Sequence, residues 1–101
     1  MSYLTDAEVV HTIDQIELVQ TANLERFEAY IKRTFLGPKA QVELVKRNDL
    51  DLLKAYMDRF TMYEEAQIEL VKLKNKTALL YYVQKRPLCT AAQKVLIEMM
   101  A

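Results

Sequence analysis

The chain repeats itself every 26 residues, and this regularity limits its possible folds more than any other feature. A shift of that length aligns 14–39, 40–65 and 66–91, with a partial unit at 92–101. Adjacent full units agree at 8 of 26 positions. The agreement falls in two clusters. One reads Gln-Ile-Glu-Leu-Val at 15–19, Gln-Val-Glu-Leu-Val at 41–45 and Gln-Ile-Glu-Leu-Val at 67–71. The other is centred on aromatics: Ala29-Tyr30-Ile31, Ala55-Tyr56-Met57 and Tyr81-Tyr82-Val83. Between the clusters stands an Asx residue in each unit: Asn23, Asp49 and Asn75.

Each cluster has the spacing of an amphipathic helix. In the second unit Ala40, Val42, Leu44 and Val45 share one arc, opposite Glu43, Lys46 and Arg47. Beyond Asp49, a second stripe of Leu50, Leu52, Leu53, Tyr56, Met57 and Phe60 faces away from Asp51, Lys54 and Asp58. The Asx residues are positioned to cap the second helix of every unit. Pro38 after Gly37 suits a first helical turn, where its missing donor costs nothing. Thr5-x-x-Glu8 and Thr61-x-x-Glu64 have capping-box spacing. The expectation is an all-α solenoid of about seven helices, an A–B pair per unit and a last A helix near 90–100. Residues 1–22 form the N-terminal cap and first helix, starting near Thr5. Helices of two or three turns do not persist alone in water, so stacking must stabilise them.

The segments Ala40 to Val45, Ala66 to Val71 and Pro87-Leu88-Cys89-Thr90-Ala91-Ala92 resemble leucine-rich-repeat-variant and HEAT-like short-helix repeat proteins. The likeness covers roughly residues 14–101. It implies a right-handed superhelical stack of short helix pairs, sometimes with one helix of each pair in 3₁₀ form. It implies no activity.

Composition narrows the function by exclusion. The longest apolar run, Ala78 to Val83, is six residues, far below the roughly twenty a membrane helix needs. The first residues carry neither a basic region nor an apolar stretch, so no signal peptide is read and a cytoplasmic location is expected. Cys89 is the only cysteine, His11 the only histidine and Gly37 the only glycine. No disulfide, thiolate metal cluster or glycine-rich phosphate loop can be built from that inventory, and His11, with no Ser, Cys or repeated Asp/Glu pair beside it in sequence, does not point to a catalytic group. An enzyme, a cofactor and a metal are not expected.

Two recurring polar sets have competing interpretations. Gln15, Gln41, Gln67 and Gln93 fall inside the apolar arc, which favours buried amides serving inter-helix turns over a peptide-binding strip. Tyr30, Tyr56 and Tyr82 read as core, their hydroxyls reaching toward water or a neighbouring unit. Cys89, in the position of Gly37 and Tyr63, reads as a packing residue.

The candidate partner-binding residues are the outward ladders Glu17, Glu43, Glu69 and Arg33, Arg59, Lys85. A protein partner of unknown identity, bound on the concave face or at the C-terminal end, is the first expectation. Residues 1–66 carry 8 basic and 12 acidic side chains, and residues 67–101 carry 6 and 2. The basic half, with Lys72, Lys74, Lys76, Lys85, Arg86 and Lys94, supports a nucleic-acid-binding alternative. Zero net charge ranks that alternative second. The last turn is more apolar than its counterparts: Met99 and Met100 stand where earlier units have Arg47 or Leu73 and Asn48 or Lys74. Leu96, Ile97, Met99 and Met100 are therefore candidates for self-association, and a homodimer is expected there.

Overall fold

A computed structural model describes the backbone of residues 6–100 and the side chains from residue 14 onward. Among the described residues there are seven helices and no strands. They are α1 (Asp6–Thr21), α2 (Leu24–Ile31), α3 (Pro38–Arg47), α4 (Leu50–Arg59), α5 (Glu64–Lys72), α6 (Lys76–Lys85) and α7 (Thr90–Met100). None is long and apolar enough to cross a membrane.

The starts of the even helices follow from the Asx ladder. Asn23 Oδ1 accepts the Arg26 N–H at 2.9 Å, Asp49 Oδ1 the Asp51 N–H at 3.1 Å, and Asn75 Oδ1 the Ala78 N–H at 3.1 Å. Each satisfies a donor that the first helical turn leaves unpaired. Pro38 opens α3, as expected. Thr61 does not open α5. That helix begins at Glu64 with Tyr63 at its N-cap and no side-chain capping bond. Buried Met62 draws the linker into the core, which leaves Thr61 exposed and two residues ahead of the N-cap. The Thr5 box and the side chain of His11 lie outside the described residues. Helices α3 and α5 both end beside a left-handed residue, Asn48 (φ 56°) and Lys74 (φ 62°), 26 positions apart.

Helix α1 lies against α3, α3 against α5 and α5 against α7, while α2 lies against α4 and α4 against α6. The core sits between these two rows. Val19, Phe27, Ile31, Leu44, Val45, Leu53, Tyr56, Met57, Leu70 and Tyr82 are among its fully or nearly fully buried members. Phe27, Tyr56 and Phe60 stack along it, with centroids 6.5 and 4.9 Å apart.

Buried glutamines tie the rows to the turns. Gln15, Gln41 and Gln67 accept, at 2.8, 2.7 and 2.7 Å, the N–H groups of Gly37, Tyr63 and Cys89, which are themselves 26 residues apart. On the donor side, Gln41 Nε2 meets the Leu36 carbonyl at 3.0 Å, and Gln67 and Gln93 meet those of Met62 and Leu88 at 2.8 Å each. Gln15 Nε2 donates instead to the Phe35 carbonyl at 3.1 Å. The tyrosine hydroxyls point inward to the turn of the preceding unit: Tyr56 accepts the Leu36 N–H at 3.1 Å and Tyr82 the Met62 N–H at 3.2 Å. Among the described residues no buried side-chain polar atom lacks a partner, as close-packed interiors require.

Candidate protein-interaction surface

The two charged ladders do not form one surface. Glu17 is exposed, whereas Glu43 and Glu69 are half-buried. Glu43 accepts from Gln20 Nε2 at 3.2 Å, so it faces the preceding helix of its row. Arg33, just past the end of α2, and Arg59, the last residue of α4, are exposed in separate shallow clefts. Glu17 and Arg33 meet along one cleft between α1 and α2, which Asp14, Leu18, Arg26, Ala29 and Tyr30 complete.

Lys85 is turned toward α4. Its Nζ lies 3.2 Å from Asp58 Oδ1, which also accepts the Tyr81 hydroxyl at 2.6 Å. The Tyr81 hydroxyl, more than the lysine, holds the Asp58 carboxyl below the usual carboxylate range, and Asp58 in turn pushes the Tyr81 phenol up. Lys54 and Lys85 each sit 5.1 Å from the Tyr81 ring centroid. This group clips α6 to α4 at the surface. Arg86 donates to the Met57 carbonyl at the end of α4. Two of the six cations of the basic half are thus engaged inside the molecule. Among the described residues no cluster of His, Cys, Asp and Glu could hold a metal.

Sequence reasoning missed Arg47. Grouped there with the solvent-facing charges, it instead donates from Nη1 to the carbonyls of Val19 and Ala22 at 2.9 and 2.8 Å, closing the C-terminus of α1. Its place in the repeat gave no signal, because the counterpart in the next unit is Leu73.

The C-terminal end is where apolar surface lies open. Val19, Val45 and Val71 are at most 2% exposed, yet their counterpart Ile97 is 66% exposed. Ile31 and Met57 are buried on α2 and α4, while their counterpart Val83 is exposed on α6. Leu80 and Gln84 replace the Lys54 and Asp58 of α4, and Leu80 is exposed. Met99 and Met100 are exposed, whereas Leu96 is half-buried against the core. Not every such position is core in the earlier units: Asn48 and Lys74, the counterparts of Met100, are exposed as well.

Two polar groups at this end also lack the partners their counterparts have. The Leu88 N–H meets no acceptor among the described residues, although Leu36 and Met62 N–H meet tyrosine hydroxyls. Gln93 is exposed, and its Oε1 accepts no N–H among the described residues, whereas its three buried counterparts each accept one. The exposed apolar side chains of this end lie on α6 (Leu80, Val83) and α7 (Ile97, Met99, Met100). No family model, curated protein or solved structure matches the chain.

Proposed function

We propose that this chain is a non-enzymatic protein-interaction module that binds a protein partner at its C-terminal end. In this reading it is a right-handed superhelical stack of short helix pairs, of the leucine-rich-repeat-variant and HEAT-like kind. The two helix rows and the hydrogen bonds recurring at 26-residue intervals support the stacked architecture. The observation that carries the function is Ile97, exposed at a position whose three counterparts are core. Exposed apolar side chains gathered at one end of a molecule are characteristic of contact surfaces.

The test is capture of binding partners from native lysate by the unmutated chain, by the double variant Ile97→Glu, Met100→Glu, and by Arg59→Glu. The reading expects a specific protein to be retained by the first and third and lost by the second. Loss with Arg59→Glu and retention by the double variant would move the site to the even-helix face. Retention on heparin that collapses with modest salt would favour the nucleic-acid alternative instead.

A further inference from the structure

The turn between α5 and α6 departs from the repeat in one direction only, toward positive charge. One unit earlier, the turn between α3 and α4 carries two cations and two carboxylates: Lys46, Arg47, Asp49 and Asp51. Its cations have partners inside the molecule. Lys46 Nζ lies 4.0 Å from Glu43, and Arg47 lies 3.8 Å from Asp49 while donating to the Val19 and Ala22 carbonyls. The corresponding residues 72–77 read Lys-Leu-Lys-Asn-Lys-Thr, three lysines and no carboxylate. Lys72, Lys74 and Lys76 are exposed, and among the described residues none of them makes an ion pair, Glu69 at the place of Glu43 included. The two turns adjoin, joined by the Asn75 amide on Asn48 at 2.7 Å. Lys46 and Asn48 are exposed although a further unit packs beyond them, so this edge lies outside the stack.

Two of the three lysines are placed against local stability. Lys74 holds φ 62°, a left-handed conformation that asparagine or glycine adopts at less cost. Lys76 is the first residue of α6, at the positive end of that helix. The first turn of α6 has no acid, whereas α2 and α4 carry Glu25 and Asp51 there. A carboxylate arriving from outside would relieve the gathered positive charge, and strained positions of this kind cluster at functional surfaces. Resting on the protein-interaction reading above, we propose that this turn binds a short acidic segment of the protein partner, its Asp and Glu carboxylates meeting Lys72, Lys74 and Lys76. A nucleic-acid backbone fits less well. Asp49 and Asp51 stand on the adjoining turn, in the way of a long polyanion. Residues 72–77 also hold no arginine fork for phosphate and no aromatic ring to stack a base. A short run of carboxylates occupies the lysine turn alone.

The experiment uses the full chain and a defined probe, a labelled peptide of about eight residues in which Gly flanks about four Asp and Glu, followed by fluorescence anisotropy at low salt. The expected result is saturable binding that weakens steeply with salt and falls at least about tenfold in the triple variant Lys72→Gln, Lys74→Gln, Lys76→Gln. Lys46→Gln and the double variant Ile97→Glu, Met100→Glu should bind as the unmutated chain does. Lys74→Gly should bind about two- to fivefold more weakly although its fold is relieved of strain, which separates a binding loss from a stability loss. No binding at low salt, or equal binding by the triple variant, overturns the proposal and leaves Ile97-dependent capture from lysate standing. A single-stranded oligonucleotide of matched charge that binds more tightly than the peptide, and is lost in the triple variant, overturns the choice of occupant. Peptide binding by a chain that retains no protein from lysate overturns the interaction reading, and the partner assigned to this turn with it.

Discussion

The Gln41 side-chain amide donates to the Tyr56 hydroxyl at 2.8 Å, both residues being at most 1% exposed. Around this bond the Leu36 N–H and carbonyl and the Tyr63 N–H are all satisfied. Two turns and two helices therefore share one polar node. Gln41→Leu leaves the Tyr63 N–H without its partner and the Leu36 carbonyl with only the longer Tyr56 hydroxyl contact, and should destabilise by about 1–3 kcal/mol; Gln67→Leu should do likewise. Tyr56→Phe should cost a similar amount by orphaning the Leu36 N–H. The Gln41→Leu, Tyr56→Phe double variant should lose less than the sum, by about 0.5–3 kcal/mol, as measured by denaturant unfolding. Strict additivity would mean that the two groups do not act as a unit.

Much of this node was legible beforehand. A glutamine recurring within an apolar arc has to find buried partners, and the turns between short helices are where unpaired backbone groups lie. The Asx caps were readable because they depend only on residues two or three positions ahead. The tyrosine partners were not, since each hydroxyl reaches a turn 20 residues back in sequence. The same holds for Arg47, whose partners Val19 and Ala22 lie in another helix. Thr61 misled because capping-box spacing is local, whereas the start of α5 is decided by buried Met62, a tertiary effect. Ile97 looked apolar from sequence, but its exposure depends on the helix beside it.

Lys74 and Asn48 take the same left-handed conformation with different chemistry. A long side chain there pays a steric cost that asparagine pays less of. Asn48 also accepts the Asn75 amide at 2.7 Å. Lys74→Gly should therefore raise stability by about 0.5–1 kcal/mol, while Asn48→Gly should be close to neutral or slightly destabilising. Thermal or denaturant unfolding of the pair checks the contrast, and equal effects would contradict it.

Arg47 closes the last turn of α1 with a planar fork, at the end where backbone carbonyls point outward unpaired. Arg47→Met keeps much of the stem but removes both donors, and should cost about 1–3 kcal/mol. Arg47→Lys should recover only part of this, because a single ammonium does not reproduce the fork. Hydrogen exchange in the last turn of α1 should rise in both variants.

The pH limits follow from two sets of groups. Burial pushes the Tyr56 and Tyr82 phenols up, so the folded state holds these protons more tightly than the unfolded state. Their contribution is complete below the ordinary phenol value of about 10 and is lost as pH rises through the folded value. Both phenols should ionise together with cooperative unfolding, which phenolate absorbance and circular dichroism can follow side by side. Asp58 acts in the opposite sense. Its depressed carboxyl supports the fold above the ordinary value of about 3.9, and that support is lost as pH falls through the folded value. Tyr81→Phe should move the Asp58 titration back up, because the Tyr81 hydrogen bond is its main cause.

Val71 and Ile97 hold the same place in successive units, one covered and one open. Val71 is 2% exposed, so Val71→Asp buries an unpaired carboxylate among apolar side chains and should unfold the chain. Ile97 is 66% exposed, so Ile97→Glu should change stability by no more than about 0.5 kcal/mol. A large cost for Ile97→Glu, with sedimentation of the unmutated chain showing a dimer, would mean that a second copy covers this position.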